Sequence, residues 1–227
     1  MKGWVGDGIL TFNHEVFARR RRRCAARATA PWLKRRLTLI GYDLPMLHFA
    51  TSLGSSRVEA VELDAGSERY PDLQRVCAYW TARREARFAP RRAEIDPADL
   101  VDVLPRIMLA DVLSEPLDFR YRLSGTGITD VHSKNMTGKG PRELMPAAYG
   151  ALIHDHYCLA VHRREPLLHL IVLDTRERSR SYARLLLPLS EDGNTVTMLM
   201  TVDSKEQNTR ALKDYFAEIM RGGAATA

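Results

Sequence analysis

At 227 residues, with 45% hydrophobic and 27% charged side chains, the chain has room for one ordinary globular domain plus an extension. Cys24, Cys77 and Cys158 are far apart and form no Cys-x-x-Cys pair, so neither a zinc ribbon nor a disulfide framework is supported, and a reduced, cytoplasmic setting fits. The net charge of +6 belongs to residues 1–60, with 11 Lys/Arg against 4 Asp/Glu; residues 61–227 hold 23 against 24, a poor footprint for nucleic acid.

In chain order, residues 1–60 show no sustained periodicity and carry Arg19 through Arg23, then Arg27 and Lys34-Arg35-Arg36. Like charges repel, so a disordered arm is expected. A phosphate-binding arm, a membrane-surface anchor and an organelle presequence are open as functional readings, as is a true translation start at Met46. No segment approaches the ~18 apolar residues of a membrane span.

The domain is expected over 66–204. Leu73, Val76, Cys77 and Trp80 recur at helical spacing and predict an amphipathic helix ending near Arg87. In Ile95-Asp96-Pro97-Ala98-Asp99, Asp96 suits a cap and Pro97 the first helical position, and the short helix ends at Pro105. Ile107 to Leu113 reads as a strand. Asp118 to Ser124 alternates Phe119, Tyr121 and Leu123 with Arg120, Arg122 and Ser124, a half-buried strand. Short turns and helices follow, then a helix from Ala147 to Arg164. Three strands come next, at Leu167–Asp174, Ser181–Leu189 and Thr195–Asp203, joined by turns short enough to require antiparallel neighbours. Over 205–221 an amphipathic helix is expected, with Leu212, Tyr215, Phe216 and Ile219 on one stripe. The sum is an α+β fold: a five-stranded antiparallel sheet with helices inserted between strands two and three and flanking helices at both ends.

Four stretches sharpen this: AYWTARREARFAPRRAEIDPADLVDVLPRIMLADVL, DFRYRLSGTGITDV, NMTGKGPRELMP and ARLLLPLSEDG. Over about residues 70–203 they resemble a PAS-like family of short proteins, common in alphaproteobacteria and formerly a domain of unknown function. Where that family tends to have glycine near Ser133–Lys134, this chain must turn with Asn135. The resemblance implies a five-stranded PAS sheet and a sensory or adaptor role, with no catalytic residue or universal cofactor to transfer.

Several motifs invite sharper readings. Gly125-Thr126-Gly127 lacks the third glycine of a dinucleotide fingerprint, Asp130 standing there, and reads as a tight exit from a strand. His154, Asp155, His156, Cys158 and His162 look like a metal cluster. On a helix, however, His154, Cys158 and His162 share the face opposite Tyr149, Leu152, Ile153, Tyr157 and Ala160, so they are expected in solvent and no metal site is expected. His156 falls within the apolar stripe. In the PAS layout its helix flanks the ligand cavity, and haem-binding relatives use a histidine from it, so His156 is either a core histidine or a ligand-side one.

The ligand-pocket candidates are therefore His156, Tyr157, Ile153, Met198 and Met200, with haem as the one cofactor worth naming. Trp80, Val76 and Phe216 are the partner-contact candidates, because a stripe on either flanking helix can cover the sheet or join a second copy as a homodimer. Arg120 and Arg122 read as solvated strand charges or anion contacts. No nucleophile elbow, P-loop or His-Glu-x-x-His motif is present, so no enzyme is expected. The function expected is a binding module that reads a small molecule or a signalling protein. The alternative is a nucleic-acid-associated protein using the Arg19–Arg23 arm.

Overall fold

The computed structural model describes residues 48–53, 56–174 and 179–205. The arginine-rich segment and the expected C-terminal helix, with Phe216, lie outside them.

The sheet has seven strands: β1 (His48–Leu53), β2 (Ser56–Leu63), β3 (Ile107–Ser114), β4 (Leu117–Ser124), β5 (Leu167–Asp174), β6 (Ser179–Leu189) and β7 (Met198–Asp203). Their order is β1-β2-β5-β6-β7-β3-β4, every pair antiparallel. The helices inserted before β5 stand where the sequence places them. The count of five is corrected by β1 and β2, which convert residues 48–53 and 56–60 from arm to sheet. Val58, Ala60 and Val61 are buried, and β2 pairs with β5 from Arg57–Asp174 to Leu63–Leu168. A strand with one buried face needs few apolar residues, which hides it in the sequence.

Helix α1 (Pro71–Arg84) has Pro71 at its first position, Asp72 in its first turn and Arg83 and Arg84 in its last, each favourable to the helix dipole. It ends where Glu85 turns left-handed at φ 52°. Leu73, Val76 and Trp80 bury against one face of the sheet with Ala183, Leu185, Leu187 and Leu189 of β6, Met198, Met200 and Val202 of β7, and Ile107 and Leu109 of β3. The Trp80 indole is 1% exposed, and its Nε1–H donates to Pro188 O at 2.8 Å. Trp80 and Val76 thus cover the chain's own sheet, one of the two uses the sequence left open for this stripe.

Asp96 Oδ1 accepts from Ala98 N at 2.8 Å, capping a 3-10 turn over Pro97–Leu100. Behind β4 comes α2 (Thr126–His132). A Cβ on Gly125 would stand 2.4 Å from Pro105 O, so close backbone approach explains this glycine. The turn after α2 is made by Ser133 at φ 52°, while Asn135 Oδ1 accepts from Thr137 N at 2.9 Å. Helix α3 (Ala147–Arg163) lies on the other, inner face of the sheet, and Arg164 closes it in left-handed geometry. Gly150 lets α3 meet the 141–144 turn, since a Cβ there would be 2.7 Å from Leu144 O.

Alternation fails at one place. The β3–β4 register slips between Leu109 and Ala110, opposite Tyr121 and Leu123, leaving Arg122 as an extra residue. Leu123 therefore leaves the face of Phe119 and Tyr121 and stands 42% exposed. Arg122 pairs with Asp111 at 3.0 Å, and Arg120 is exposed.

Candidate functional site

Register alone assembles a polar row on the inner face. Glu62 of β2 pairs with His169 of β5, His169 with Arg184 of β6, and Arg184 with Asp203 of β7. Directly opposed residues share a face, so the row crosses four strands. Arg184 Nε reaches Asp203 Oδ1 at 2.6 Å and Nη2 reaches Oδ2 at 3.0 Å, with both side chains buried. At the other end, Arg163 of α3 pairs with Glu62.

Helix α3 lays its inward side chains over this row. His156 stacks on His169 with ring centroids 4.0 Å apart. Tyr149 and Tyr182 share a hydroxyl contact of 2.5 Å. Tyr157 meets Phe119 edge-on at 5.1 Å and Tyr121 at 6.2 Å, and Ile153 is fully buried beside them.

The electrostatics are those of a dry interior around one guanidinium. Burial is the largest single influence and works against the charge of Arg184, but Asp203, Tyr182 and Tyr149 together outweigh it and the group stays ionised. Burial pushes the Tyr121 and Tyr182 hydroxyls well above the usual phenol range and raises Tyr149 and Tyr157 as well, so all four stay protonated. Burial lowers His169 to about 3, with Arg163 adding to it, and His132 to about 4, with Arg184 adding to it. His156 falls well below the usual range through burial and its neighbour His169. Arg184 acts on every one of these groups.

Three polar atoms in the cluster, Arg184 Nη1 and the hydroxyls of Tyr121 and Tyr157, are buried with no hydrogen-bond partner among the described residues. The nearest polar neighbours of the Tyr157 hydroxyl, Thr201 and Tyr121, stand outside hydrogen-bond geometry. The three atoms are a guanidinium N–H donor and two hydroxyls, all turned to the inner side of the sheet. The arrangement does not suit haem at His156, whose ring is covered by His169; a porphyrin there would have to part α3 from β5.

Of the sequence candidates, His156, Tyr157 and Ile153 come together on this inner side. Met198 and Met200 do not: period-2 alternation turns them to the opposite face, under Trp80. The trio expected in water is also corrected. His162 is exposed, but His154 is 2% and Cys158 7% exposed, because Phe119 and the Pro141–Glu143 turn close over that side of α3. No group of His, Cys, Asp and Glu fit for a metal stands among the described residues. Sequence reasoning passed over Arg184, Asp203, His169, Tyr121 and Tyr182. The available signal was a charge or imidazole inside an apolar strand, as in Leu168-His169-Leu170 and Ala183-Arg184-Leu185.

An antiparallel sheet with helices inserted between its strand pairs and a long helix across its inner face defines a sensory-domain architecture. A family model described as a PAS domain matches residues 69–202, and the chain belongs to that family. A solved structure described as that of an RNA-binding light-oxygen-voltage receptor is similar at 15% identity and a TM-score of 0.37, over 60% of this chain and 40% of that one. No curated protein matches. No helix among the described residues is long and apolar enough to cross a membrane.

Proposed function

We propose that the chain is a non-enzymatic sensory PAS module that takes a small polar molecule between α3 and the inner face of the sheet. In this reading it signals through contact with a protein partner in the reducing interior of the cell. What carries the reading is the trio of buried, unsatisfied atoms: Arg184 Nη1, Tyr121 Oη and Tyr157 Oη. Each such group costs about 1–3 kcal/mol when left without a partner. A ligand oxygen accepting from Arg184 and a hydroxyl relieves that cost. Asp203 already balances the guanidinium, so a neutral carbonyl or hydroxyl compound suits the cluster better than a second anion.

The test is gentle-ionisation mass spectrometry of the full chain purified from cells. A stoichiometric small molecule is expected, released on unfolding and absent from Tyr121→Phe/Tyr157→Phe. A chain that carries nothing, and gains no thermal stability from a library of small carbonyl and hydroxyl compounds, contradicts the reading.

A further inference from the structure

Where the last turn of α1 meets the loop from α3 into β5, the surface opens into a groove of about 350 Å³. That is near the lower end of the roughly 300–1,000 Å³ range of small-molecule sites. Trp80 and Arg84 of α1, Phe88 just beyond it, and Arg164, Glu165 and Pro166 of the loop line the groove. Helix α1 ends at the left-handed Glu85 and α3 at the left-handed Arg164, and the two chain reversals bring Phe88 and Arg164 together. The Arg164 guanidinium lies 4.0 Å from the centre of the Phe88 ring, and that of Arg84 5.8 Å from the centre of the Trp80 ring. The groove shares no residue with the inner ligand cluster.

The polar groups of the groove are donors short of acceptors. Arg84 Nη1 donates to Arg87 O at 3.0 Å, but its Nε–H is buried with no hydrogen-bond partner. Arg164 is exposed and forms no ion pair among the described residues. A guanidinium held over a ring face keeps the N–H groups of its edge free, which is the geometry in which arginine clamps a carboxylate. Glu165 does not neutralise the pair: it reaches Arg163 at 3.9 Å and neither groove arginine. The Thr81 hydroxyl at the rim donates to Cys77 O at 2.8 Å. A neutral guest would leave the arginine donors unmatched, and a cation would meet two like charges. An inorganic anion would leave the apolar surface of Phe88, Pro166 and Trp80 uncovered. The complement of the whole groove is a carboxylate joined to an aromatic body.

We propose that this groove is a second binding site, for a small aromatic carboxylic acid. The carboxylate oxygens accept from the edge of the Arg164 guanidinium and from the side of Arg84 that carries the unsatisfied Nε–H. The ring of the acid lies against Phe88 and Pro166, above Trp80. Arg164 is the side chain that shifts to admit the acid, a rotamer change of the kind that commonly accompanies binding.

Trp80 forms part of the wall, so its fluorescence reads occupancy once Trp4 and Trp32 of the full chain are replaced by phenylalanine. The probes are phenylacetate and 3-phenylpropionate, with neutral phenylacetamide and acetate for comparison. Both aryl acids are expected to give a saturable change, with dissociation constants at least about tenfold below those of phenylacetamide and acetate. Arg164→Gln should weaken the aryl acids by about tenfold and leave the weak binding of phenylacetamide unchanged. Arg84→Gln should act in the same direction, and if that half-buried substitution does not fold, the exposed Arg164→Gln decides. The absence of a saturable change below about 10 mM acid overturns the proposal. So does phenylacetamide binding as tightly as phenylacetate, or an Arg164→Gln chain that binds the acids like its parent. Binding lost in Tyr121→Phe/Tyr157→Phe but kept in Arg164→Gln would place the acid at the inner cluster and likewise overturn it.

Discussion

Replacing Arg184 with methionine removes a guanidinium of similar length and leaves the Asp203 carboxylate buried without its two charge-assisted hydrogen bonds of 2.6 and 3.0 Å. Breaking one side of a fully buried pair costs about 3–5 kcal/mol. A loss of about 4 kcal/mol in a domain of this size lowers Tm by roughly 8–16 °C. The companion variant Arg184→Met/Asp203→Leu removes both charges and is expected to return within about 1 kcal/mol of the starting stability or exceed it, since well-packed apolar replacements of buried pairs often do. Urea unfolding followed by tryptophan fluorescence reads both, because Trp80 sits on the other side of β6. A single variant losing under about 1 kcal/mol would refute the argument, for it would mean that water already reaches Asp203. A double variant as damaged as the single would show that the row holds the strands together by more than this pair.

The other expectations concern pH, the added hairpin and the outer core. The unfolded chain binds protons on its histidines below about pH 6.5, whereas folded His169 titrates only near 3. Stability is therefore full above pH 6.5 and declines as pH falls toward 3, by about 2 kcal/mol between pH 7 and 5 for His169 alone. His169→Leu should flatten that slope, and an unchanged slope would assign it elsewhere. A chain beginning at residue 64 loses β2 and uncovers the β5 edge, so it should be at least about 3 kcal/mol less stable than one beginning at Met46, and self-associate. Equal melting temperatures would contradict the hairpin. Trp80→Ala empties the centre of the outer core and should cost about 3–5 kcal/mol, and Trp80→Phe less, because a ring still fills most of the space although the bond to Pro188 O is lost in both; a near-neutral Trp80→Ala would mean α1 does not cover the sheet.

Local signals were legible in the sequence and relations between distant segments were not. The Leu73–Val76–Trp80 stripe, the Asp96 cap and the buried strand Leu185–Leu189 are written in neighbouring residues, and the structure carries them nearly as read. His156 and Tyr157 were legible as inward residues because helical phase suffices. Met198 and Met200 were not, because alternation gives two faces without saying which meets α3. His154 and Cys158 were misplaced since nothing in 147–163 tells that the 141–144 turn folds over their side. The row from Glu62 to Asp203 depends on the register of three strand pairs, and the Leu123 reversal on one bulge, neither of which leaves a mark in composition.

The central claim is that Tyr121, Tyr157 and Arg184 keep their polar atoms for a ligand, and the double variant Tyr121→Phe/Tyr157→Phe tests it most directly. It removes two hydroxyls and almost no volume. Stripped of small molecules, it should be as stable as the parent chain or about 1–3 kcal/mol more stable, because two unsatisfied buried groups are gone. Incubated with small-molecule extract of the source cells and measured again, the parent chain should gain thermal stability and the double variant should not. A variant that is less stable than the stripped parent, or that gains as much from the extract, would contradict the account.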